Sequence, residues 1–167
     1  MQMVAVIGSS EPDSRLEALA KAVGSVVARG GYRLVCGGLG GVMEAACRGA
    51  RSVLGEANGR IVGILPGEDK SRANPYVDIA IPTGIGLARN VLVVMAADAV
   101  VAVGGASGTL SEVAHAWQLG RPICALLPGG GWAARLAGRQ LDNKCRERIF
   151  EATSVAQVES WLQATLD

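Results

Sequence analysis

Aromatic side chains are scarce in this sequence: three Trp, two Tyr and one Phe make up 4% of 167 residues. Half of the chain is nonetheless apolar, so Val, Ile, Leu and Ala must fill the core. That palette suits a buried parallel sheet covered closely by helices. An excess of one charge is missing too. Lys and Arg number 16 against 15 Asp and Glu, spread along the chain. Without a basic stripe, nucleic acid is not expected as a partner. His115 is the only histidine, and Cys36, Cys47, Cys124 and Cys145 share no CxxC spacing, so no metal centre is expected. The cysteines read as reduced thiols in apolar or helical stretches. No apolar run is long enough for a bilayer, because the longest, from Val91 to Val103, is short and carries Asp98. Met1–Ser10 has no basic region and enters a strand at once, so neither a secretory leader nor a membrane partner is expected. The expectation is a cytoplasmic protein with one domain over residues 1–167.

What the chain has in plenty is glycine, 23 residues of it, at the ends of short apolar runs. Met3–Ile7, Tyr32–Cys36, Ile61–Leu65, Val77–Ile81, Ala99–Val103 and Pro122–Leu127 read as strands. Between them lie helical patterns. A first helix has Leu16, Leu19, Ala20, Val23 and Val27 on one face, opened by a Ser14/Glu17 capping box. A second carries small residues at Ala45, Ala46, Gly49 and Ala50, which predicts close packing on the sheet. Leu87–Ala97 fits a helix through Leu87, Val91, Val94 and Met95. Another follows Gly108, with Leu110, Val113, Ala114 and Trp117 inward. Ser154 with Gln157 opens a last helix, while Trp132–Asn143 has no clear pattern. Alternating strands and helices predict an α/β, Rossmann-like three-layer fold with a mostly parallel sheet and helices on both faces.

In such a fold every strand-to-helix loop lies at the carboxyl edge of the sheet, where ligands bind. Gly8, Ser9 and Ser10, the loop Gly37–Gly41, the loop Gly104–Gly108 and the start of the helix carrying Arg89 should meet there. A glycine-rich turn feeding a helix offers bare N–H groups and the positive end of the helix dipole to an anion. The candidate phosphate-binding residues are therefore Gly8, Ser9, Gly38, Gly40, Gly41, Gly105, Ala106, Ser107, Gly108 and Thr109. No Gly-Lys-Ser/Thr follows either loop, and neither matches the dinucleotide fingerprint in register. Arg89 falls in a first helical turn, where a cation opposes the dipole unless a ligand or acidic partner compensates it. Glu112 completes a Thr109-x-x-Glu112 capping box and, taken alone, reads as a helix cap.

Leu87-Ala88-Arg89-Asn90, Ala97-Asp98-Ala99 and Gly104-Gly105-Ala106-Ser107-Gly108-Thr109-Leu110-Ser111-Glu112 together resemble the LOG family, whose members were long labelled possible lysine decarboxylases. Its signature pairs an arginine with a later Pro-Gly-Gly-x-Gly-Thr-x-x-Glu. The resemblance implies catalytic roles for Arg89 and Glu112 and a symmetric assembly, a homodimer or larger. Known members are phosphoribohydrolases that release a base from a nucleoside 5′-monophosphate. Two departures from the pattern stand out: Gly104-Gly105-Ala106 stands where the signature has Pro-Gly-Gly, and Asn90 follows the arginine where the hydrolases have lysine. The run from Pro82 through Glu112 is more similar to a sister branch that includes the molybdenum-cofactor carrier proteins, which bind a phosphorylated pterin.

The old decarboxylase label fails on chemistry. Pyridoxal phosphate needs a Schiff-base lysine beside it, and none of Lys21, Lys70 and Lys144 sits at the carboxyl edge in a recognisable setting. Two readings remain. In one, the chain binds or carries a small phosphorylated heteroaromatic ligand, a nucleotide or a molybdopterin-type compound, and needs no further cofactor. In the other, Glu112 and Arg89 cleave an N-glycosidic bond through an oxocarbenium-like transition state.

Overall fold

Among the described residues, seven strands, all parallel, form one sheet in the order β4-β3-β2-β1-β5-β6-β7. The computed structural model describes residues 1–143 and 147–166, so Lys144 and Cys145 lie outside the described residues. The strands are β1 (Met3–Gly8), β2 (Arg33–Cys36), β3 (Ile61–Leu65), β4 (Ile79–Pro82), β5 (Ala99–Val103), β6 (Ile123–Leu126) and β7 (Phe150–Ala152). The helices are α1 (Ser14–Arg29), α2 (Val42–Leu54), α3 (Asn90–Met95), α4 (Ser107–Gln118), α5 (Gly131–Leu136) and α6 (Val155–Leu166). None of them, among the described residues, is long and apolar enough to cross a membrane.

The period-two alternation of a strand divides the core into two layers. Val4 and Val6 of β1 face one way, with Leu34, Val101 and Leu126, and are covered by α1, α2 and α6. Ala5 and Ile7 face the other, with Val35, Val100 and Ala102, beneath α3, α4 and α5. β1 and β5 are apolar on both faces because both are covered. The three-layer Rossmann-like arrangement expected from the alternation of elements is what the chain adopts.

Local expectations fare unevenly. The Ser154/Gln157 cap is present: the Ser154 hydroxyl accepts from the Gln157 N–H, while the Gln157 side chain accepts from Thr153. For α1 the cap is Asp13, not Ser14, its carboxylate accepting the Leu16 N–H at 2.7 Å. The small residues of α2 also allow a close helix–helix contact with α1. A Cβ on Gly49 would collide with the Lys21 carbonyl of α1, and one on Gly24 with the Ala46 carbonyl of α2. The expected Leu87–Ala97 helix is a 3-10 turn, Gly86–Arg89, followed by the short α3. Its buried side chains are Arg89, Asn90, Val93 and Val94, whereas Leu87 and Met95 are exposed. In α4 the inward face is Thr109, Glu112, Val113, Ala116 and Trp117, so Leu110 and Ala114 are only half-buried. The Trp132–Asn143 stretch contains α5, and β7 lies beyond it.

Candidate functional site

The strand order reverses at β1: β2 lies on one side and β5 on the other. Gly8 pairs with Val103, so both strands end together and their loops splay apart, which opens a crevice at the carboxyl edge. A cavity of about 230 Å³ fills it. Ile7, Gly8, Ser9 and Ser10 contribute from the end of β1, and Leu39, Met43, Pro66 and Leu87 form an apolar wall. Arg89, Asn90, Ala106, Gly108, Thr109 and Glu112 complete it.

Seven of the residues singled out in the sequence thus line one cavity: Gly8, Ser9, Arg89, Ala106, Gly108, Thr109 and Glu112. Gly38, Gly40, Gly41, Gly105 and Ser107 lie outside its lining. At the first glycine loop, amides on either side of Leu39-Gly40-Gly41 are engaged within the protein. The Gly38 N–H donates to the Cys36 Sγ, and the Val42 N–H that opens α2 donates to the Ser9 carbonyl at 2.8 Å. This loop supplies Leu39 and Met43 to the cavity wall and fastens Ser9 in place. Beneath it lie two thiols, Cys36 and Cys47, 3.5 Å apart. The contact holds Cys36 below the ordinary thiol range and pushes Cys47 well above it.

The second loop is different. Gly104 and Gly105 adopt φ of +65° and +100°, turning the chain so sharply that α4 begins at Ser107. Their carbonyls accept the Ala133 and Trp132 N–H groups of α5, which fixes the loop from outside. Trp132 therefore packs under the Arg135 guanidinium, 5.1 Å from its ring centroid, and does not reach the cavity. The N-cap position of α4 is Ala106, and no side chain caps the helix. The first-turn N–H groups of Ser107, Gly108 and Thr109 lack the intrahelical partners that later turns have. The helix starts earlier than the Thr109/Glu112 box implies, and Glu112 falls in the second turn. It is not a cap.

Instead Glu112 points inward and meets Arg89, Oε1 to Nη1 at 3.5 Å, with both side chains buried. Burial pushes the Glu112 carboxyl up to about 7, against the pull of the Arg89 guanidinium. Arg89 is only 7% exposed, far from the surface position its helical register allows. Its guanidinium lies on the backbone of Gly37, where any Cβ would displace it. The buried Nε has no hydrogen-bond partner. Arg89 and the uncapped start of α4 line the same cavity, an arrangement whose chemistry suits an anion.

The remaining candidates belong elsewhere. Asp98 sits at the opposite edge of the sheet, accepting the Met3 N–H at 2.8 Å and fixing the β1–β5 register. His115 is half-buried one turn beyond Glu112 and lines no part of the cavity. Asn90 and the apolar wall were not singled out as binding groups. Asn90 stood beside Arg89 in the motif, whereas Leu39, Met43, Pro66 and Leu87 carry no chemical signal in the sequence.

The model of the SLOG cluster4 family matches residues 1–161. The chain belongs to that family. Among solved structures, this SLOG protein is 34% identical to TM1055, covering 98% of this chain and 99% of that one with a TM-score of 0.89. It is 30% identical to the molybdenum cofactor binding protein of the phototrophic bacterium Rippkaea orientalis, covering 99% and 98% of the two chains with a TM-score of 0.85. It is 29% identical to the molybdenum cofactor carrier protein of Chlamydomonas reinhardtii, covering 99% and 98% with a TM-score of 0.84. The SLOG chain thus has the LOG-like Rossmann fold near the molybdenum-cofactor-carrier branch that its motifs resemble.

Proposed function

We propose that this protein binds and carries a small phosphorylated heteroaromatic ligand of molybdopterin type in the cavity at the β1/β5 crevice. The observation that carries the reading is the uncapped N-terminus of α4 in the lining of the same cavity as a buried arginine. The ligand's phosphate sits against the first-turn N–H groups at Ala106–Thr109, and its flat ring lies along Leu39, Met43, Pro66 and Leu87. Arg89 supplies the compensating positive charge. Similarity to the Rippkaea and Chlamydomonas proteins supports this class of cargo. As in the LOG family, the working form is a homodimer or larger symmetric assembly, and the protein acts in the cytoplasm.

One observation favours a second reading, phosphoribohydrolase activity. A carboxyl whose burial raises it to about 7 is matched to proton transfer at neutral pH. Its ionised form is also placed to stabilise positive charge developing on a ribose. In that reaction water adds to C1′, the bond from C1′ to the base nitrogen breaks, and the base leaves with a proton.

Incubation with AMP separates the two. A carrier binds the nucleotide or a phosphorylated pterin without releasing base, and Arg89→Ala weakens binding by about tenfold or more, as loss of a charge-assisted contact does. Sustained release of adenine and ribose 5-phosphate, abolished by Glu112→Gln, establishes the hydrolase instead. Unchanged phosphate and AMP affinity in Arg89→Ala refutes the anion site itself.

A further inference from the structure

Asn90 is the first residue of α3 and only 6% exposed, yet its side chain makes no hydrogen bond among the described residues. It does not cap the helix. Its backbone is already helical, with φ −55° and ψ −38°, and the N-cap position belongs to Arg89. Burying a carboxamide with nothing to pair with is unfavourable, and a structural asparagine in this position would normally have found a backbone partner. Its polar atoms are instead open to the cavity, in a wall shared with Arg89, Glu112 and the apolar Leu39, Met43 and Leu87.

We propose that Asn90 is a specificity-determining residue that reads the edge of the ligand's ring. The inference rests on the reading that the cavity takes a phosphorylated heterocycle, and it adds which feature of that heterocycle is selected. A carboxamide presents a donor and an acceptor side by side, complementary to a ring edge with an adjacent acceptor and donor. The lactam edge of a 2-amino-4-oxo pyrimidine ring, shared by guanine and pterins, has that pattern. A lysine here would offer only donors and a charge, which suits phosphate or a negatively charged leaving group. Asparagine offers recognition without charge, as it does for base edges in nucleic-acid complexes. The apolar wall holds the ring's faces, the start of α4 holds the phosphate, and Asn90 reads the edge left between them.

The test compares GMP with ribose 5-phosphate, which keeps the phosphate and lacks the ring. Calorimetric affinities are measured for wild type and for Asn90→Leu, close in size to asparagine and unable to hydrogen-bond. Wild type is expected to prefer GMP, and Asn90→Leu to lose about ten- to a hundredfold of that preference, as for one or two neutral hydrogen bonds. Ribose 5-phosphate affinity should stay within twofold. The melting temperature should hold, because the amide is open to the cavity and has no hydrogen bond within the protein to lose; a structural role for Asn90 would lower it. If Asn90→Leu proves insoluble, Asn90→Ala, which also cannot hydrogen-bond through its side chain, is read in the same way. An unchanged preference, or a parallel loss for both ligands, overturns the role of Asn90 while leaving the cavity reading in place. If wild type binds neither compound, the cavity reading fails and this inference falls with it.

Discussion

Replacing Glu112 with glutamine should remove a pH dependence of stability whose size follows from the buried carboxyl. In the unfolded chain this group titrates near 4.5, and in the folded protein at about 7. Between those values the folded state holds the proton that the unfolded state has released, so stability falls as pH rises. Below about pH 4.5 both states are protonated and nothing is lost. Above pH 7 both are ionised and the penalty is complete, on the order of 3 kcal/mol. The Arg89 guanidinium, 3.5 Å away, moderates this figure and does not reverse it, since burial dominates. Glu112→Gln has the same shape, can still accept from Arg89, and does not titrate. Urea denaturation of both proteins at half-unit steps from pH 4.5 to 8.5 isolates the effect as a difference, in which all other groups cancel. Wild type should lose about 3 kcal/mol relative to the variant across that range. A flat difference would mean that Glu112 is solvated in solution. A difference that grows in favour of wild type with pH would mean a true ion pair with a depressed carboxyl, and the electrostatic account of the cavity would be refuted.

Gly49→Ala tests the contact between α1 and α2: helix propensity favours alanine by about 1 kcal/mol, but its methyl meets the Lys21 carbonyl. Overpacking should win, with a net loss of about 1–2 kcal/mol in thermal unfolding, and a raised melting temperature would refute the packing. Assembly is tested by light scattering. The edge strand β4 leaves Ile79 and Ile81 exposed, continued by Ile85 and Leu87, and wild type should have at least twice the mass of one chain. Ile81→Lys should reduce that mass, and a monomer at micromolar concentration in wild type would refute the homodimer.

The parts of the fold legible in the sequence were those whose signal is local. Ile61–Leu65 and Ala99–Val103 are uninterrupted apolar runs between turn residues, and they are strands with those bounds. β7 escaped notice because three residues, Phe-Glu-Ala, carry no period, and pairing with β6 is what makes them a strand. Taken alone Glu112 reads as a cap because the capping-box spacing is satisfied in sequence, whereas the left-handed Gly104 and Gly105 start the helix earlier. That early start also shifted the inward face of α4 from Leu110 and Ala114 to Thr109, Glu112 and Ala116. Arg89 and Glu112 were both picked out, but their contact joins residues 23 apart and needs tertiary structure to be seen. Asn90 was visible only as a departure from a motif; its burial without a partner is a property of the folded chain.

The pairing of β1 with β5 has a kinetic side. Met3 and Asp98 meet across 95 residues, and the register they fix runs up to Gly8 and Val103 at the cavity floor. Closing so long a loop is entropically demanding and has to precede the contacts that reward it. β1 to β4 with α1 and α2 assemble from neighbours in sequence, yet that half of the molecule holds only one wall of the crevice. The other wall arrives with α3, β5 and α4. The cavity and the central seam are therefore completed together, and during synthesis the cavity is not whole until the chain has emerged well past residue 112.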